Sequence, residues 1–140
     1  MFVLDTNALS AMMSPGPEPA VAKWMSSQPA EQLFTTTVSK AEIMSGLAIL
    51  PQGKRRQALQ SAAGAMFAED FEERVRPFDS EAANFYAEIF ATRRQAGKPI
   101  ATLDLMIAAI ARSHGAGVVT REVGGFEGCG LTLINPWTLG

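Results

Sequence analysis

The sequence predicts an α/β fold, with a mostly parallel central sheet and helices on both faces. Short apolar, partly β-branched runs such as Phe2-Val-Leu4 and Gly117-Val-Val-Thr120 alternate with segments of helical period, and Gly and Pro punctuate the boundaries. No internal repeat or low-complexity stretch interrupts the alternation. Such an order implies right-handed crossovers between parallel strands. At 140 residues, 47% hydrophobic and 19% charged, the chain suits one compact domain over 1–140 rather than two domains or a disordered tail.

Taken in order, Phe2-Val-Leu4 reads as a buried strand ended by Asp5-Thr6-Asn7. Ser14-Pro-Gly-Pro17 breaks the chain, and Val21, Trp24 and Met25 then recur at helical spacing. Leu33 to Val38 is a second strand running into Ser39-Lys-Ala-Glu42, a capping-box pattern that opens a helix over Ile43–Leu50, stopped by Pro51-Gln-Gly53. A polar helical segment spans Lys54 to about Phe67, and Arg74-Val-Arg-Pro-Phe78 alternates like a short strand. Asp79 or Ser80 caps a helix with Ala83, Tyr86, Ala87, Phe90 and Ala91 on one face, which stops at Gly97-Lys-Pro99. Thr102 is the expected N-cap of Leu103–His114, a helix apolar nearly all round and hence central, with Gly115 where a left-handed residue is needed. Gly117–Thr120 and Leu131–Ile134 complete the sheet ahead of Asn135-Pro-Trp137.

Composition removes several classes of function. Leu105–Ala111, the longest mostly apolar stretch, is far short of the roughly 20 residues a membrane span needs, and Met1-Phe-Val-Leu-Asp5 lacks a basic leader, so a cytoplasmic protein with no membrane partner is expected. One cysteine, Cys129, and one histidine, His114, leave no internal disulfide and no zinc set. There is no GxGxxG or Walker loop, Cys129 has no recognisable base, and Ser113-His114 lacks a nucleophile elbow. With a net charge of −2, any nucleic-acid contact is local. A mean hydropathy of +0.08 in so small a chain points to apolar surface covered by another subunit or partner.

In a parallel sheet, sites form outside the carboxyl ends of the strands, so acids that follow strand runs are the candidates. Asp5 ends the first strand and Glu122 follows Val-Val-Thr-Arg, while Glu42 and Asp104 are placed in first turns of helices facing the same rim. Each also has an ordinary explanation: an Asx turn, half of a capping box, a favourable charge at a helix start, a solvated loop acid. Together they carry more. Two carboxylates about 4 Å apart repel by roughly 4 kcal/mol at an effective dielectric near 20, so a cluster must take up protons or a cation. Oxygen ligands without a His or Cys set suit Mg²⁺ or Mn²⁺ rather than zinc or copper.

Leu4-Asp-Thr-Asn7, Ala41-Glu42, Asp104 followed by Ile107-Ala-Ala-Ile110-Ala, and Thr120-Arg-Glu122 occur in this order, with Lys54-Arg-Arg56, Arg76-Pro-Phe-Asp79 and Ile134-Asn-Pro-Trp137 between and after them. Over essentially its whole length the chain resembles a PIN-domain ribonuclease toxin of the VapC/FitB type. The resemblance implies a three-layer PIN-like fold and a metal-dependent endoribonuclease, a homodimer inhibited by a small VapB-like antitoxin encoded beside it. It also implies that Asp5, Glu42 and Asp104 form the metal site, with Glu122 as the fourth acid, and that Mg²⁺ or Mn²⁺ is the cofactor. Thr6 is given a polar role near the metal and Asn7 a turn-holding role. One departure stands out: relatives commonly carry Asp or Asn after Thr-Arg, some with Asp three residues later, where this chain has Glu122 and Gly125.

The reaction so implied is hydrolysis of an RNA phosphodiester by a metal-activated water attacking in line, leaving a 3′-hydroxyl and a 5′-phosphate. The metal-free route through the ribose 2′-hydroxyl needs well-placed imidazoles, and His114 is better suited to the dipole at a helix end. With four acids set aside, the remainder of the chain stands at +2. Arg121 is then the first candidate for a phosphate contact or for a pair with Glu122, followed by Lys54, Arg55 and Arg56, with Arg93, Arg94 and Lys98 as further basic candidates. Two other readings stay open: a PIN-fold binding or regulatory protein that is catalytically weak because Glu122 leaves the metal site incomplete, and a phosphoacceptor receiver. The receiver requires paired acids after the first strand and a late lysine, neither of which the sequence has.

Overall fold

The computed structural model describes residues 1–139. Its strands are β1 (Phe2–Leu4), β2 (Leu33–Thr36), β3 (Val75–Arg76), β4 (Gly117–Val119) and β5 (Leu133–Ile134). The helices are α1 (Thr6–Met13), α2 (Pro19–Ser27), α3 (Thr37–Ala48), α4 (Lys54–Ala65), α5 (Ser80–Gln95), α6 (Thr102–Ser113) and α7 (Val123–Phe126), and α4 runs on into a π turn over Met66–Asp70. The sheet is parallel throughout, in the order β3-β2-β1-β4-β5. Val3 stands opposite Phe34 on one side and Val118 on the other. After β1 the chain builds outward through β2 and β3, then returns to place β4 on the opposite side of β1. The order therefore reverses at β1, and a crevice opens there at the carboxyl ends of the strands.

The pleat sends alternate side chains of β1 and β4 into two separate cores. Val3 and Val118 join Ala82, Ile89, Leu105, Ala108 and Phe126 beneath α5, α6 and α7. Leu4 and Val119 join Ala8, Leu9, Ile43, Ala63 and Phe71 beneath α1, α3 and α4. This is the three-layer arrangement, with every residue of α6 from Ile107 to Ala111 at 0% exposure. At Gly117 a Cβ would lie 3.0 Å from the Thr132 carbonyl oxygen and 3.2 Å from the Phe2 ring, so the close strand spacing needs glycine.

Several boundaries depart from the sequence reading, each for a local reason. Asp5-Thr6-Asn7 starts α1 rather than a turn: the Asp5 carboxylate accepts the Ala8 N–H at 2.9 Å, an N-cap. Asn7 consequently sits on an exposed helical face instead of holding a turn. The second strand stops at Thr36, whose hydroxyl accepts the Ser39 N–H at 3.0 Å and caps α3. Ser39 is therefore inside the helix, no capping box forms, and Glu42 lies in the second turn rather than the first. Thr102 is likewise inside α6, where Ala101 occupies the N-cap position without a side-chain bond. The apolar stripe read on α5 faces outward at Ala83, Ala87, Phe90 and Ala91; the helix buries Ala82, Ile89 and Arg93 instead. Asp79 caps α5 through the Ala82 N–H, and Gly97 and Gly115 take positive φ, as the stop signals required.

Ile89, 1% exposed, and Ile49, 85% exposed, provide a test of this packing. Ile89→Ala should lower the free energy of unfolding by about 2–5 kcal/mol, and Ile49→Ala by less than about 0.5 kcal/mol, in urea titrations followed by circular dichroism. Equal losses would mean that α5 is rotated from the orientation described.

Candidate active site

Four acids arrive at the crevice from four separated stretches of chain. Asp5 follows β1 directly and is 4% exposed; its backbone N–H donates to the Val119 carbonyl at 3.0 Å, tying it to β4. Glu42 projects from α3, Asp104 from the first turn of α6, and Glu122 leads into α7. Asp104 interacts electrostatically with all three of the others, and Asp5 with Asp104 and Glu122.

Hydroxyl groups set the carboxylate positions. Thr6 Oγ1 lies 2.6 Å from Glu42 Oε1 and 3.0 Å from the buried Ser39 Oγ. A hydroxyl carries one proton, so Thr6 donates to the carboxylate and receives the Ser39 proton. On the other side Thr120, also buried, places its hydroxyl beside the Asp5 carboxylate, where it favours the charged form, and its oxygen accepts the Glu122 N–H at 2.9 Å. Arg93, 6% exposed on α5, donates to the carbonyls of Gly125 and Glu127 and so clamps α7 behind Glu122. Ser39 and Thr120 escaped the sequence reading as site residues. The available signal was spacing: Ser39 is one turn before Glu42 on the same helix, and Thr120 precedes Glu122 at a strand end.

Burial pushes the Asp5 carboxyl above the usual carboxylate range, with Asp104 and Glu122 adding to the rise against the hydrogen bonds from Thr120 and Ala8. Asp104 is raised as well, by burial first and then by Glu42 and Glu122. Both sit at helix starts, where the dipole favours a negative charge by about 0.3–1 kcal/mol; the upward shifts show that desolvation and mutual repulsion outweigh that benefit.

The donor set is all oxygen and all anionic, the chemistry that Mg²⁺ and Mn²⁺ select. Among the described residues no three acidic, imidazole or thiol groups close tightly enough to ring one ion by themselves. Mg²⁺ does not require such a cage, because it keeps several waters and takes one or two carboxylates directly. Asp5, Glu42, Asp104 and Glu122 fit that mode, with more remote carboxylates acting through water.

Arg121 lines a concavity that also contains Asn7 and Glu122. It forms no ion pair with Glu122, since the one ion pair among the described residues joins Arg112 to Glu88. Lys54, Arg55 and Arg56 are not brought to the acids; they form the first turn of α4, and Arg56 lines a separate hollow with Gln52 and Gly53. His114 is the C-cap of α6, at the opposite end of that helix from Asp104. Cys129 is buried, and burial pushes its thiol up, so no thiolate is available as a nucleophile. No helix among the described residues is long and apolar enough to cross a membrane.

Comparison with known proteins agrees with this geometry. Residues 2–125 match the PIN domain family. The VapC ribonuclease Y4jK of Sinorhizobium fredii is 40% identical over 137 residues, covering 98% of both chains. Toxin FitB of Neisseria gonorrhoeae is 34% identical over 137 residues, covering 98% of this chain and 99% of the relative. The structure of FitAB bound to an IR36 DNA fragment contains a chain that superposes with a TM-score of 0.93 at 34% identity, over 100% of this chain and 98% of that one.

The raised acids make a thermodynamic prediction. A carboxyl whose folded-state value lies above its unfolded one holds its proton longer in the native state, so stability falls as pH rises from the ordinary carboxylate range through the raised value, and the deficit persists at neutral pH. Asp104→Asn removes the charge at the centre of the repulsion. Its melting temperature should exceed that of the parent at pH 7, with the gap closing as pH falls below about 4. A variant less stable than the parent at neutral pH would show that the repulsion is already relieved.

Proposed function

Since the chain belongs to the PIN-domain family, we propose that its acidic crevice hydrolyses RNA phosphodiester bonds and that the protein is the endoribonuclease toxin of a toxin–antitoxin pair. The observation carrying this reading is that Asp5, Glu42, Asp104 and Glu122, from distant stretches of chain, come within electrostatic range of one another where the strand order reverses, with Glu42 held by Thr6 and Asp5 tied to β4. Asp5, Glu42, Asp104 and Glu122 would hold the divalent cation. When bound, Mg²⁺ or Mn²⁺ supplies charge neutralisation at the phosphate and a water acidic enough to be a nucleophile near neutral pH.

The chain's own groups supply position. Thr6 and Ser39 keep the Glu42 carboxylate turned toward the crevice, and Thr120 spaces Asp5 from Glu122. Helix starts at α1 and α6 direct backbone N–H groups toward the anionic end of the site. Arg121, exposed and in no ion pair among the described residues, offers a guanidinium beside Glu122 to a phosphate of the substrate. Lys54, Arg55 and Arg56 would contact RNA beyond the crevice. Attack by the ribose 2′-hydroxyl under imidazole catalysis does not suit this site, because His114 is about 15 Å from Asp104 along α6.

A small VapB-like antitoxin would hold the toxin in check, as suggested by the FitAB assembly that this chain resembles. The cytoplasm is the fitting compartment for an RNA substrate. A homodimer would cover the outward apolar stripe of α5 and the start of α6, where Phe90 is 46% and Leu103 45% exposed. One observation favours a second reading, a PIN-fold protein that binds without efficient chemistry: among the described residues no three acids encircle an ion unaided.

Cutting of single-stranded RNA in Mg²⁺ or Mn²⁺, abolished by EDTA and by Asp5→Asn or Asp104→Asn with the fold intact, separates the two readings. The products should carry 5′-phosphate and 3′-hydroxyl ends. Retained cutting in those variants, or 2′,3′-cyclic phosphate ends, would refute the metal assignment. Thr6→Val should weaken Mn²⁺ binding about 10–100-fold in calorimetric titration, the usual cost of losing a group that orients a metal ligand. For the dimer, Phe90→Asp should reduce the mass seen by light scattering to that of one 15.0 kDa chain; an unchanged dimer mass would place the interface elsewhere.

A further inference from the structure

Two sequence features take no part in the reaction above: the Ser14-Pro-Gly-Pro17 break and the closing Asn135-Pro-Trp137. The fold brings them together. They wall a polar concavity of about 510 Å³ that adjoins the acidic crevice and shares Glu122 with it. The geometry points to a subsite in this concavity for one unpaired nucleotide of the RNA, next to the phosphate being cut. The inference rests on the ribonuclease reading and specifies how its substrate is held.

The main feature is a cation–π pair. The Arg121 guanidinium lies over the Trp137 ring, 5.5 Å from its centroid, within range of a cation–π contact. Asn135 ties the two backbones together: its Oδ1 accepts the Trp137 backbone N–H at 3.0 Å, and its Nδ2 donates to the Arg121 carbonyl at 3.5 Å. The segment is anchored to the sheet by the Thr120 N–H, which donates to the Ile134 carbonyl at 2.9 Å. The backbones that carry Arg121 and Trp137 are thus held together, so binding has mainly the Arg121 side chain to order.

Guanidinium planes and aromatic faces are the surfaces on which proteins stack unpaired bases, and the guanidinium edge at the same time donates to phosphate oxygens. The opposite wall provides polar groups for a base edge. Asn7 and Ser10 are three residues apart on α1, hence on one face, and both are exposed; Glu18, at the start of α2, is an acceptor for amino and imino protons. The volume lies within the usual range of small-ligand sites, about 300–1,000 Å³. In a crevice dominated by carboxylates, Arg121 is the cation that brings a polyanion close, and the indole beneath it makes that contact favour an unpaired strand over a duplex, whose bases are already stacked.

The test uses the full chain with Trp24→Phe, which leaves Trp137 as the sole tryptophan. Asp104→Asn is added for binding measurements so that the RNA stays whole. A single-stranded oligoribonucleotide should quench the Trp137 emission saturably, and a duplex of the same sequence should do so far less. In the cutting-competent protein, Trp137→Ala should raise KM for single-stranded RNA about 5- to 150-fold, the range measured for loss of one base stack, with a smaller change in kcat. Trp137→Phe should restore most of the loss, and Arg121→Gln should raise KM and flatten its salt dependence. An unchanged KM in Trp137→Ala together with no quenching would overturn the subsite while metal-dependent cutting left the ribonuclease reading intact. Saturable quenching without any cutting by the wild-type chain would support the subsite and overturn the ribonuclease reading. Equal quenching by duplex and single strand would overturn the stacking assignment, and so would a Trp137→Phe protein that folds but behaves like Trp137→Ala.

Discussion

Like charge held together against its own repulsion is the constraint on which the rest of the structure depends. Asp104 lies within electrostatic reach of Asp5, Glu42 and Glu122, and burial withholds from Asp5 much of the water that would screen it. A folded chain tolerates such an arrangement only if the surrounding structure leaves the carboxylates no other place. Here that structure is the reversal of strand order at β1, which brings the ends of β1 and β4 side by side and leaves an opening above them. Two apolar cores, one on each face of the sheet, hold the strands that deliver the acids.

Short polar side chains refine what the sheet delivers. Thr6 and Ser39 link α1 to α3 beneath Glu42, and Thr120 links β1 to the segment before α7. Arg93 anchors α7 through backbone carbonyls, so the position of Glu122 depends on α5, which shares one face of the sheet with α6 and α7. The extra methylene that distinguishes Glu from Asp at position 122 is thus presented from a clamped backbone, within reach of both Asp5 and Asp104.

What the sequence revealed and what it hid follow from locality. Strands β1 and β4 were legible because strands buried on both faces read as unbroken apolar runs, and α6 because it is apolar all round. The candidates Asp5, Asp104 and Glu122 were legible because each follows or opens an element, whereas Glu42, in the second turn of α3, was picked out through a capping box that does not form. Helix α1 was hidden: Asp, Thr and Asn serve an N-cap and a turn equally well, and only the Ala8 N–H reaching Asp5 decides between them. The capping box at Ser39–Glu42 failed for a similar reason, since Thr36 three residues earlier competes for the same role and leaves Ser39 free to serve Thr6. On α5 the stripe of small and aromatic residues has helical period but faces outward, because Ala82, Ile89 and the buried Arg93 fit beside α6. Periodicity identifies an apolar face; which neighbour covers it is a tertiary matter. The Arg121–Trp137 cation–π contact joins residues from two separate elements and was beyond any local pattern.

The most direct measurement of whether this charge cluster is a cation site is an anomalous-scattering map of crystals equilibrated with Mn²⁺ at a concentration that supports RNA cutting. A peak among the Asp5, Glu42 and Asp104 oxygens, bound directly or through one water, is the result expected. A map with no peak in the crevice, or with manganese only at other surface acids, would contradict it.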